Sequence, residues 1–283
     1  MPHDPVQYPK TNVGEHQREL IWRSPFMANL HINAHKLRWL KNVVDPIDCH
    51  RFNDDFCNIP DLTYSWYLHQ DPTGSGLTGP ACTDAVNGVL SMTTEGDDDD
   101  SGELTQMCEC WKLARCYPLY AEIRMGIISP AGITGPARNC DFWFGLVEDH
   151  QWFALPTNWV AIHKDATDWD FEFGTSNGGI STNMDNLYQP INWNTWYRLG
   201  IHWDGVGTLR YFIIQDGNFP QTILATGTKT DNIPMANDLT LGFGIRQGAG
   251  EAIALAVDYI KCCQLRVIES IENCPVGGPW SGR

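Results

Sequence analysis

No stretch of the 283-residue chain approaches 18 consecutive apolar residues, which excludes a membrane-spanning helix of ordinary length. The opening M-P-H-D-P-V-Q-Y-P-K lacks the charged-then-apolar layout of a secretion signal, so the expectation is synthesis in a cytoplasm without export by that route. Lysine and arginine are scarce, 19 against 34 Asp and Glu, giving a formal net charge of -15. A chain so poor in cations cannot readily neutralise phosphates, and nucleic acid is not expected as a partner. No C-x-x-C pair and no matching His cluster accompany the C-E-C at 108 to 110 and Cys116, so a tetrahedral zinc site is not expected. The run Asp97 to Asp100 lacks the glycine-interrupted alternation of an EF-hand and reads as a solvated hairpin tip. The nine His are dispersed, with no argued Ser-His-Asp or Cys-His arrangement. Neither a metal nor a cofactor is expected.

What is present is a composition with 42% hydrophobic residues, enough for a proper core, together with 12 Trp, 26 Gly and 10 Cys. The cysteines are read as small buried hydrophobes, with disulfides as the alternative if the protein ends in an oxidising setting. Charge divides the chain: residues 1 to 51 hold 7 Lys/Arg against 5 Asp/Glu, and the remainder 12 against 29. The first 50 residues form a slightly basic arm, Pro-containing and polar at its start, with helices expected at 14–23 and across I-N-A-H-K-L-R-W-L-K-N-V-V. From Phe52 onward alternating apolar residues and short-spaced turn signals predict strands. Examples are L-Y-A-E-I-R-M-G-I-I (119–128), D-F-W-F-G-L-V-E (141–148), W-Y-R-L-G-I-H-W (196–203) and L-T-L-G-F-G-I-R (239–246), with a further strand at 103–110. Leu239, Leu241, Phe243 and Ile245, and likewise Tyr197, Leu199, Ile201 and Trp203, supply the rows expected to meet in the core. Ten such strands without intervening amphipathic helices predict an all-β, antiparallel two-sheet sandwich or jelly roll.

The order R-F-N-D-D-F, G-V-L-S-M-T-T, P-L-Y-A-E-I-R-M-G-I, D-F-W-F-G-L-V-E-D, W-Y-R-L-G-I-H-W-D-G and A-L-A-V-D-Y-I-K resembles the concanavalin A-like lectin and glucanase jelly roll in its LamG-like form, over about residues 51 to 268. Within that superfamily it looks most like the version carried by tailed-bacteriophage virion proteins. The resemblance implies a jelly-roll body at 51–268 behind a 1–50 attachment arm, with 269–283 as a tail. It further implies a non-enzymatic virion structural protein, a capsid decoration or cement protein, made in the host cytoplasm. Its implied partners are the major capsid protein or other virion proteins and further copies of itself, a trimer being one arrangement. A lectin-like module of a phage head or tail fibre, binding a surface glycan, is the alternative.

The superfamily also contains laminarinase-type glycoside hydrolases, whose signature of alternating acids on one strand is similar to D-W-D-F-E at 168 to 172. By that resemblance Asp168 would stand at the nucleophile, Asp170 at the helper and Glu172 at the acid/base position. Asp168 departs from the pattern, which has Glu there. A retaining mechanism needs two carboxyls roughly 5 to 5.5 Å apart, and a side chain one methylene shorter misplaces one of them. The expectation is therefore no enzyme, with Trp169, Phe171 and Phe173 as a strip of core and the acids facing water. Trp152, Trp159, Trp193 and Trp196, in or beside loops, are the candidates for stacking on a sugar. In the arm, Trp22, Arg23, Phe26, Lys36, Arg38 and Trp39 combine the aromatic and basic types enriched at interface anchors, and are the candidates for partner binding.

Overall fold

The computed structural model describes residues 49–265 apart from 57–59, 71–76, 84–87, 96–98, 116, 130–134, 138, 149–152, 154–155, 169, 182–184, 217–221 and 249–251. The helices expected in the arm and all six arm candidates lie outside the described residues. The strands are β1 (Cys49–Asp54), β2 (Trp66–Gln70), β3 (Leu77–Thr83), β4 (Val89–Thr94), β5 (Ser101–Gln106), β6 (Trp111–Lys112), β7 (Leu119–Ile128), β8 (Cys140–Val147) and β9 (Trp159–Lys164). They continue as β10 (Asp170–Asn177), β11 (Ile180–Ser181), β12 (Asp185–Pro190), β13 (Thr195–Trp203), β14 (Leu209–Gln215), β15 (Thr222–Lys229), β16 (Asp238–Gln247) and β17 (Ala254–Leu265).

These strands form two antiparallel sheets, as the alternation predicted. An eight-stranded sheet runs β15-β14-β13-β7-β17-β4-β3 with β1 also on β17, and a nine-stranded sheet runs β11-β10-β9-β8-β16-β5-β2 with β12 on β10 and β6 on β16. Period-two alternation sends Leu119, Ala121, Ile123, Met125 and Ile127 of β7 to one face, with Tyr120, Glu122 and Arg124 opposite. The apolar set meets Phe142, Phe144 and Leu146 of β8 and Leu241, Phe243 and Ile245 of β16 in one core between the sheets. The rows expected on β13 and β16 are all in it.

Two expectations shift, and one strand begins within the segment read as the arm. The strand predicted at 103–110 ends at Gln106, and Met107 to Cys110 leave the ladder. Strand β1 crosses the boundary drawn at residue 50, pairing Cys49 with Leu265 and Asp54 with Ile260, and His50 rests 4.6 Å from the Trp111 ring. At the hairpin tip read as solvated, Asp99 is exposed but Asp100 is fully buried. Asp97 and Asp98 lie outside the described residues.

Candidate functional site

The acid strand is β10. Phe171 and Phe173 are fully buried in the core, Phe171 edge-on to Tyr197 and Phe173 tilted against Tyr211. Trp169 lies outside the described residues. On the opposite face of β10 Asp170 and Glu172 are half-buried, while Asp168 precedes the strand, its N–H donating to the Asp165 carbonyl at 3.1 Å, and is exposed. All three acids thus lie away from the core and meet water, Asp168 fully and Asp170 and Glu172 in part. Glu172 sits directly across from His163 on β9, with Nε2 and Oε2 3.2 Å apart.

The electrostatics identify the kind of contact. Burial lowers the His163 pKa to about 4, outweighing the nearby Asp165 charge. Burial also raises Glu172, helped by the charges of Asp168, Asp165 and Asp170. An ion pair would move the two groups the other way; the directions point instead to an uncharged imidazole within hydrogen-bond distance of the carboxyl group.

His163 and Glu172 belong to a row that crosses the outer face of the nine-stranded sheet. In register it reads His69, Glu103, Gly244, Trp143, His163, Glu172 and Asn186. Trp143 fills the middle of this face. Its indole lies so close over Gly242 and Gly244 that a Cβ on either would stand 2.7 Å and 2.5 Å from it. With Val147, Trp159 and Ala161 it forms a second small core, against which Phe153 packs. The Phe153 N–H donates to Glu103 Oε1 at 2.7 Å, and the Arg246 guanidinium lies 4.9 Å above its ring. Arg246 is in turn held by Asp141. The face carrying Glu172 is thus filled by apolar side chains of the next two strands, β9 and β8.

The sugar-stacking candidates are dispersed. Trp159 is 7% exposed within the second core, Trp193 packs against the main core, and Trp196 is half-buried with the Arg124 guanidinium 4.6 Å from its ring centre. Trp152 lies outside the described residues. Among the described residues Trp159, Trp193 and Trp196 do not form one platform.

Two features escaped the sequence reading. On the outer face of the eight-stranded sheet, Glu122 is almost fully buried and accepts hydrogen bonds from the Tyr120 and Tyr259 hydroxyls and from Lys261 at 3.0 Å. Burial pushes its pKa up, but the Lys261 ammonium and the two phenols outweigh that and leave it below the ordinary value. Beside it Asp216 bridges Arg124 at 2.7 Å and Arg198 at 3.1 Å. Arg124 also donates to Asp258 at 2.8 Å, which a one-residue bulge between Val257 and Tyr259 accommodates. The alternation Y-x-E-x-R on β7 was a readable signal for this set.

The second feature is an aromatic edge. Among the described residues, four of the six most exposed large apolar side chains, Leu62, Tyr64, Tyr67 and Met107, lie on or beside β2, the terminal strand of the nine-stranded sheet. Tyr64 is 82% exposed at the tip of a turn that Asp61 holds rigid. The Asp61 carboxylate accepts the Thr63 and Tyr64 N–H groups, and its carbonyl accepts those of Ser65 and Trp66. Tyr67 points to the same face as His69, their rings 4.1 Å apart.

Among the described residues no group of three or more His, Cys, Asp or Glu side chains could hold a metal ion, and no helix is long and apolar enough to cross a membrane.

No family model matches the chain, and no curated protein matches its sequence. Solved structures do share its architecture. A protein of unknown function from Shewanella oneidensis MR-1 superposes with TM-score 0.57 at 12% identity, over 79% of this chain and 89% of that one. Lectin I from Ulex europaeus, solved with the methyl glycoside of α-L-fucose, gives 0.53 at 14% identity over 77% and 98%. The endo-1,3-β-glucanase from Streptomyces sioyaensis gives 0.52 at 14% identity over 78% and 98%. The fold is the concanavalin A-like lectin and glucanase jelly roll, and at these identities the likeness extends to fold alone.

Proposed function

We propose that the protein is a non-enzymatic component of a bacteriophage particle whose jelly-roll body recognises carbohydrate and whose N-terminal segment attaches it to other virion proteins. The observation carrying the recognition role is the Tyr64–Tyr67 edge: two exposed phenol rings, one on a braced turn, beside His69. Flat rings with a polar tip stack on the C–H faces of a pyranose and hydrogen-bond its hydroxyls, and a rigid turn reduces the entropy lost on binding. The fold shared with a fucoside-bound lectin supports the same reading. The virion assignment rests on the sequence resemblance and on the contrast between a basic arm and an acidic body.

Retention on a broad glycan panel tests the recognition role. Tyr64→Ala combined with Tyr67→Ala is expected to weaken binding by at least about tenfold. A clean negative for the native protein, or a double variant that changes oligomeric state while glycan retention is untouched, removes the proposal.

A glucanase reading draws on one specific observation, the upward shift of Glu172, since a general acid must hold its proton near neutral pH. Against it stand the exposed, shortened Asp168, the His163 contact with Glu172 and the apolar filling of the same face. Incubation with β-glucans is expected to release no sugar. Hydrolysis abolished by Glu172→Gln would establish the enzyme instead.

A further inference from the structure

The C-E-C motif is used by neither role proposed above, and its place in the fold is unusual. Strands β5 and β6 both pair with β16, Thr105 opposite Gly242 and Trp111 opposite Leu239. Along that interval β16 advances three residues while the facing chain takes six. The surplus is expelled as the excursion Met107 to Cys110, pinned at both ends by the same strand. Two further bonds fix it: the Met107 N–H donates to the Ser65 carbonyl at 3.1 Å, and the Thr240 hydroxyl to the Cys108 carbonyl at 3.4 Å. The compressed backbone brings Cys108 Sγ within 2.9 Å of Cys110 Sγ, both as free thiols. Cys108 is exposed; Cys110 is half-buried against the core.

We propose that Cys108 and Cys110 form a thiol–disulfide exchange site whose co-reactant is a small disulfide of the glutathione class. Cys108, accessible to solvent, is the attacking thiol and Cys110 the resolving one. The Cys108 thiolate attacks one sulfur of the small disulfide; that S–S bond breaks, a mixed disulfide forms on Cys108, and one small thiolate leaves. Cys110 then gives its proton to solvent and attacks Cys108 Sγ, forming the Cys108–Cys110 bond and expelling the second small thiolate. Two protein thiols are oxidised and one small disulfide is reduced to two thiols. The two sulfur atoms are already in contact, so Cys110 is the thiol beside Cys108 once the mixed disulfide has formed. Burial raises the Cys110 pKa, which keeps it protonated until the mixed disulfide is beside it, where proximity compensates for its small thiolate fraction.

The test treats the full-length protein with oxidised glutathione and follows thiol titration and peptide mapping by mass spectrometry. The native chain is expected to lose two thiols reversibly, with the new bond mapped between residues 108 and 110 and restored to thiols by dithiothreitol. Cys110→Ser should instead trap one glutathione on Cys108, and in Cys108→Ser the modification of Cys110 should be about tenfold slower. Circular dichroism checks that each variant is folded, and Cys110→Ala replaces Cys110→Ser if the latter is not. The proposal is overturned if Cys108 and Cys110 stay reduced while other cysteines react, if either bonds a different cysteine, or if a folded Cys110 variant accumulates no adduct.

Discussion

In D-W-D-F-E-F, neighbouring side chains have opposite tasks. Phe171 is fully buried, and Phe171→Ala should cost about 3–5 kcal/mol, because the cavity adds to the lost transfer energy. Asp168 is exposed, and Asp168→Asn should lie within about 0.5 kcal/mol of the native protein; urea unfolding of both variants measures the contrast. His163 makes stability depend on pH. Its folded pKa of about 4 is below the ordinary 6.5, so on acidification the unfolded chain takes up a proton before the native one. Its contribution is intact above about pH 6.5, falls as pH drops through the window down to about 4, and amounts to up to about 3 kcal/mol. Glu172, shifted upward, acts in the opposite sense and partly offsets this. Denaturation midpoints measured from pH 7 to pH 4 should decline, and His163→Gln, which retains a polar partner for Glu172, should flatten the decline. The residue pattern alone showed that acids and aromatics separate to two faces. It could not show that Glu172 meets a histidine, because that partner is nine residues away in sequence and is brought opposite only by the β9–β10 register.

At the scale of elements, close strand packing sets the tolerance to substitution. A Cβ on Gly145 of β8 would stand 2.1 Å from the Val160 carbonyl oxygen and 2.7 Å from the Ala161 Cα, both backbone atoms of the adjoining strand. Gly145→Ala should therefore destabilise by at least about 2 kcal/mol, read as a lowered thermal midpoint, since no rotamer change relieves a clash with backbone. Long strands with strict alternation, β7, β8, β13 and β16, were legible because an apolar residue recurs at every second position along most of each. Strands β2, β3, β12 and β15 were not, since polar residues, Gly and Pro interrupt their pattern and pairing with a neighbour maintains them. The end of β5 was misplaced for a related reason. M-C-E-C continues an extended-looking pattern, but β16 offers too few partners between Leu239 and Gly242 to hold it.

For the whole molecule, β1 sets the limit for a truncation. Cys49 to Asp54 pair with β17, so a deletion testing the attachment role should stop at residue 48. Residues 49–283 are expected to fold and bind glycan as the full chain does, yet to be absent from particles assembled with them; normal incorporation would show that attachment lies in the body. Sequence alone determined the all-β class and most of the core, because side-chain period is a local property that burial converts directly into two faces. It also fixed the acidity of the body, a matter of counting. Only the tertiary structure decided which polar residues meet. The Glu122–Lys261 contact, the Tyr64 edge and the Cys108–Cys110 pair all depend on how strands far apart in the chain are aligned, and that alignment is set by the packing of the two sheets around their shared core.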